Sequence, residues 1–106
     1  MLRELFLKRF FLSRSSHWPI IRKEFLNIHP NCEVCFSTKG LEVHHIKPVH
    51  LYPELELDPE NLITLCRPKR CHLLFGHLNN WKSFNPEVIN DSNIWNTKIM
   101  LGKTRI

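Results

Sequence analysis

All four cysteines of the chain fall into two short pairs, Cys32-x2-Cys35 and Cys66-x4-Cys71, with thirty residues between them. Zinc takes four thiolates tetrahedrally, and one tight loop supplies two of them. The spacing therefore predicts a structural Zn2+ held by Cys32, Cys35, Cys66 and Cys71. Four metal-free buried thiols would have no reason to sit in chelating pairs. In a chain of 106 residues the core is modest, so such a staple contributes directly to folding.

Between the pairs lies LEVHHIKP (Leu41–Pro48), with His44 and His45 side by side. The segment reads as a strand, and neighbouring side chains on a strand point to opposite faces. The two imidazoles therefore cannot share one task. Either they have different jobs, or one is buried and the other solvated for structural reasons. A neutral imidazole, with an ordinary pKa near ~6.5, accepts a proton at neutral pH.

Several elements must position these residues. His17 to His29 predicts a helix with Trp18, Ile21, Phe25 and Ile28 on one stripe, Pro19 in its first turn and Pro30 beyond its end. NCEVC is a tight turn, and STKG turns into the LEVHHI strand. Pro48, Pro53 and Pro59 make residues 47–60 a loop, whose acidic PELELDPE (Pro53–Glu60) is expected to point away from the site. LITL (Leu62–Leu65) is a second short strand running into Cys66. CHLLFGHLNNW, from Cys71, reads as a helix ending near the Asn pair. From Pro86 onward a loop and a final helix are expected over the surface. Ahead of all this, MLRELFLKRFFLSR faintly resembles an organellar transit peptide. Its Leu2, Leu5, Phe6, Phe10 and Phe11 repeat at helical spacing, which favours a short amphipathic helix.

The chain carries +5 and a sequence pI near 9.3, which suggests a polyanionic partner. Residues 1–30 have six basic and two acidic side chains, residues 31–65 two and six, and residues 66–106 seven and two. No apolar run approaches the ~18 residues of a membrane span. No secretory signal is visible, so a reducing, cytoplasmic setting is expected for the cysteines.

CEVC, LEVHHIKP, ENLITLC and the final CH, taken in order, resemble the HNH endonuclease family. The likeness covers roughly residues 18–85 if the W-x-x-x-R-x-x-x-L helix is included. It implies an α+β fold: a small zinc-stapled ββα-metal finger with flanking helices. The expected layout is a single domain over 1–106, with helical segments in 1–30, the finger in 31–80 and an extension in 81–106. The family pattern assigns the catalytic divalent ion, Mg2+ or Mn2+, to His44 and His72. It makes His45 the general base and gives Asn61 the task of holding the hairpin and the base in place. Zn2+ is then structural, and the substrate is DNA, cut to leave 5′-phosphate and 3′-hydroxyl ends.

The chain departs from the family at RPKR, which puts four residues rather than the usual two between Cys66 and Cys71. His77 follows His72 by five residues, about 140° around an ideal helix. It is a further ligand only if that helix is irregular; otherwise it is a phosphate contact or a surface histidine. Arg67, Lys69 and Arg70 form a basic cluster beside the site and, with Arg22, Lys23 and Lys82, are candidate phosphate contacts. Trp81 and Phe84 read as core or docking residues rather than base-stacking platforms. The rival function is a zinc-stapled nucleic-acid-binding module without cleavage. A zinc-dependent protein-interaction domain is less favoured, given the basic ends and the histidine pair.

Overall fold

The computed structural model describes residues 15–104. The amphipathic helix expected within residues 1–14 lies outside the described residues.

Helix α1 spans Trp18–Ile28. Pro19 suits its first turn, where a backbone N–H would lack an intrahelical partner anyway. Pro30 disfavours helical geometry at His29, and the chain turns away there. The His29 carbonyl accepts a hydrogen bond from Thr64 Oγ1 at 2.9 Å, which ties the helix end to the second strand. Phe25 is buried and Trp18 and Ile21 are half-buried, as the stripe predicts. Ile28, the last residue of the stripe, is instead 73% exposed.

Strands β1 (Leu41–His45) and β2 (Leu62–Cys66) pair antiparallel, with His44 opposite Ile63 and His45 opposite Leu62. All five residues of β2 are buried. The loop between the strands forms two 3-10 turns, Pro53–Leu55 and Pro59–Asn61, each with its proline in the first turn. The acidic segment does not all point away, as the sequence suggested. Glu56 is only 4% exposed, and its carboxylate accepts from the Ser15 N–H at 3.1 and 3.2 Å.

The segment after Cys71 is not an ordinary helix. His72–Gly76 is one π-helical turn, and it ends where Leu78 and Asn79 adopt left-handed φ values of 53° and 64°. There the Asn79 N–H reaches back six residues to the Leu73 carbonyl at 2.9 Å, the closure that stops a helix after its last turn.

Helix α2 spans Val88–Met100 and is more than surface cover. Val88 and Ser92 are fully buried, and Trp95 and Ile99 pack on the core of Val34, Ile46, Ile63, Leu65 and the cysteines. Asn96 Nδ2 donates to the Glu33 carbonyl at 3.1 Å. Asn85 Nδ2 donates to the Phe75 carbonyl at 2.9 Å and to Asp91 Oδ2 at 2.8 Å. The helix thus clamps the first cysteine turn and the π turn together. No described helix is long and apolar enough to cross a membrane.

Candidate metal centres and cleft

The Sγ atoms of Cys32, Cys35, Cys66 and Cys71 lie within 4.8 Å of one another, and all four are free thiols. In the first turn the Phe36 N–H bonds the Cys32 carbonyl at 2.9 Å, with Phe36 at φ 67°. The longer second loop reaches the same result. Its Arg70 N–H bonds the Arg67 carbonyl at 2.9 Å, and Arg70 takes φ 62°. A left-handed residue on a side chain other than Gly costs about 1 kcal/mol, and each loop accepts that cost to turn its second cysteine inward. The two additional residues are absorbed in a closed turn, so the four sulfurs still converge.

The electrostatics of this cluster suit a cation. A hydrogen bond from Cys71 holds the Cys32 thiol down to about 5, while the same bond and burial push Cys71 up. Burial raises Cys35 to about 11. The pocket therefore favours one thiolate by itself, and a divalent cation bound there would ionise the remaining coordinating thiols. Four sulfurs, with no oxygen ligand grouped with them among the described residues, fit a zinc-type site.

A second cluster joins His44, His72 and His77, whose ligand nitrogens also lie within 4.8 Å. His44 Nδ1 is 3.0 Å from His72 Nε2, which is 3.3 Å from His77 Nε2. Hydrogen bonds at the far side of two rings decide their tautomers. His77 Nδ1 must donate to the Ser83 carbonyl at 2.7 Å, and His72 Nδ1 donates to Glu42 Oε1 at 3.2 Å. Both Nε2 atoms are therefore lone pairs facing each other, an arrangement that a shared cation stabilises. Burial foremost, then the neighbouring imidazoles, lowers His44 to about 3, and burial also lowers His72. Neutral imidazoles are the ligating form. The Nε2 of His44 is buried with no hydrogen-bond partner among the described residues.

His77 joins because the helix is irregular. A π turn is wider than an α turn, so a residue five further on returns to nearly the same face. Gly76 makes room for the cluster, since a Cβ there would stand 3.0 Å from Cε1 and Nδ1 of His44.

His45 has a different set of partners from His44. Both histidines are buried, at 3% and 8% exposure, so neither is the solvated partner of a structural pair. His45 Nε2 lies 2.9 Å from the Glu56 carbonyl, which accepts only. The proton is therefore on Nε2, and Nδ1 is the acceptor atom of the ring. The Trp18 ring lies over the imidazole at 4.5 Å between centroids. Asn61 pins the hairpin end: Oδ1 accepts from the Lys47 N–H at 2.9 Å, and Nδ2 donates to the carbonyls of Lys47 and Leu55 at 3.1 and 3.2 Å.

His44, His45, His72 and His77 all line one cleft of about 450 Å³, together with Trp81 and Lys82. Arg67 and Arg70 line a smaller neighbouring groove with His72 and Trp81, and Lys69 is exposed outside that lining. Trp81 is 60% exposed, which excludes the core role read from the sequence, whereas Phe84 is half-buried in the wall of the cleft. Sequence reasoning missed three partners. Glu42, two residues before His44 and so on its face of β1, was findable by strand alternation. Trp18 was assigned to the helix stripe but not to His45. The Glu56 carbonyl has no side-chain signature at all.

No curated protein and no solved structure matches the chain significantly. Residues 32–76, from the first cysteine to the glycine under His44, match the family described as HNH endonuclease. That segment holds both strands, both cysteine pairs and two of the three clustered histidines, so the likeness to that family lies in the finger they build.

Proposed function

We propose that the chain is a metal-dependent DNA endonuclease in which His45 Nδ1 takes the proton of the attacking water. The observation that carries this reading is the hydrogen bond from His45 Nε2 to the Glu56 carbonyl. It presents a basic nitrogen on a ring that opens to the cleft shared with the three-histidine cluster. The match to a family of nucleic-acid-hydrolysing domains supplies the reaction class.

His44 Nδ1, His72 Nε2 and His77 Nε2 would hold the catalytic ion, and Glu42 orients His72 from behind. When bound, a divalent ion polarises the scissile phosphate and stabilises charge on the leaving oxygen. Three imidazoles suit a first-row transition ion better than Mg2+. Trp18 and the Glu56 carbonyl hold the His45 ring in one orientation, and Asn61 fixes the loop that presents the carbonyl. Arg67, Arg70 and Lys69, with Lys82 in the cleft wall, supply positive charge for phosphates. The four cysteines hold Zn2+ and thereby set the position of His72, the residue after Cys71.

Supercoiled plasmid incubated with the zinc-loaded protein tests the reading. Nicking or linearisation that depends on added Mn2+ or Mg2+ is expected. Tight binding with no cleavage under any divalent ion would instead favour a binding module.

A further inference from the structure

We propose that Trp81 is a stacking platform for an unpaired nucleobase, which makes single-stranded DNA flanking the scissile phosphate the substrate class of this cleft. The inference rests on the nucleic-acid reading above. It starts from an exposed tryptophan that the catalytic account does not use. One side of the indole abuts the metal-cluster histidines, with ring centroids 5.3 Å from His72 and 4.9 Å from His77. The ring is therefore held in orientation, yet 60% of the residue stays open to solvent.

Its position gives that exposure a use. Trp81 and His72 form the ridge between the histidine cleft, which includes Lys82, and the groove lined by Arg67 and Arg70, whose one acid, Glu42, is paired with His72. A backbone crossing from the arginine groove into the cleft meets cations on both sides of the ridge and an aromatic face on top of it. Alternating positive charge and aromatic surface is how proteins hold single strands, with bases stacked on the rings and phosphates on the cations. A paired base keeps both faces inside the duplex stack and gains nothing from the indole. An unpaired base does gain.

Affinities for a short oligothymidylate and for a blunt-ended duplex of equal length test this, using zinc-loaded protein with no other divalent ion added. Trp81→Ala should weaken oligothymidylate binding roughly 5- to 100-fold, the usual worth of one stacked base. Duplex affinity should fall much less, and Trp81→Phe should keep most of the single-strand affinity. Zinc content and far-UV circular dichroism report that both variants are folded. Unchanged oligothymidylate binding in Trp81→Ala, equal losses on both DNAs, or a Trp81→Phe protein as weak as Trp81→Ala would each overturn the proposal. Because this readout involves no cleavage, it can fail while the nuclease reading stands, and the reverse.

Discussion

His72 Nε2 and His77 Nε2 lie 3.3 Å apart across a separation of five residues, and the π turn between them is the reason. An α-helix would have turned His77 away from the cleft by about 140°. The backbone irregularity thus converts two histidines on β1 and the π turn into a set of three. π turns are frequent at functional sites.

His77→Ala should therefore cost more metal affinity than the roughly 10- to 100-fold lost when an outer-shell partner is removed. Titration with Co2+ or Mn2+, followed spectroscopically on zinc-loaded protein, measures it. Affinity equal to wild type would make His77 a bystander held by Ser83.

Glu42→Ala removes the carboxylate behind His72. The expected loss of affinity at the histidine site is roughly 10- to 100-fold, with His72 still present. Cysteine-bound zinc should not change. The same titration separates the two outcomes.

Gly76→Ala tests the close approach of the π turn to His44. The added Cβ would stand 3.0 Å from two ring atoms, so the imidazole must shift. Overpacking of this kind costs about 1–3 kcal/mol. The cost should appear as weaker ion binding and slower cleavage, with zinc content unchanged. Wild-type metal affinity in this variant would mean that the ring has room the structure does not indicate.

What was legible in the sequence follows from where chemistry constrains spacing. Chelating pairs must be close along the chain, so the cysteines declared themselves. The alternation of a strand separated His44 from His45, and their partners do differ: His72 and His77 for one, Trp18 and the Glu56 carbonyl for the other. The π turn left no such mark. Its residues, HLLFG, suit an ordinary helix, and the wider winding shows only in the folded chain. Backbone acceptors are equally silent, which is why Glu56 was read as an outward acid when its carbonyl supports His45. Of the core and docking roles read for Trp81, its aromatic type could not choose; the fold leaves docking, since most of the residue is uncovered among the described residues.

Zinc should copurify at about one ion per chain, and strong chelation should unfold the protein, because folding and metal binding are one equilibrium in such small domains. Elemental analysis and circular dichroism measure the two halves of that statement. A well-folded, zinc-free sample would remove the staple from the account.

The most direct test of the central claim is the single-turnover cleavage rate of His45→Ala, at saturating Mn2+ and saturating DNA. A positioned general base contributes about 10²- to 10⁴-fold, so the rate should fall by that factor while zinc content and DNA affinity stay near wild type. Added metal should not restore it, whereas excess Mn2+ should partly restore His44→Ala, which lacks a ligand rather than a proton acceptor. A His45→Ala protein that cuts DNA at close to the wild-type rate would contradict the mechanism.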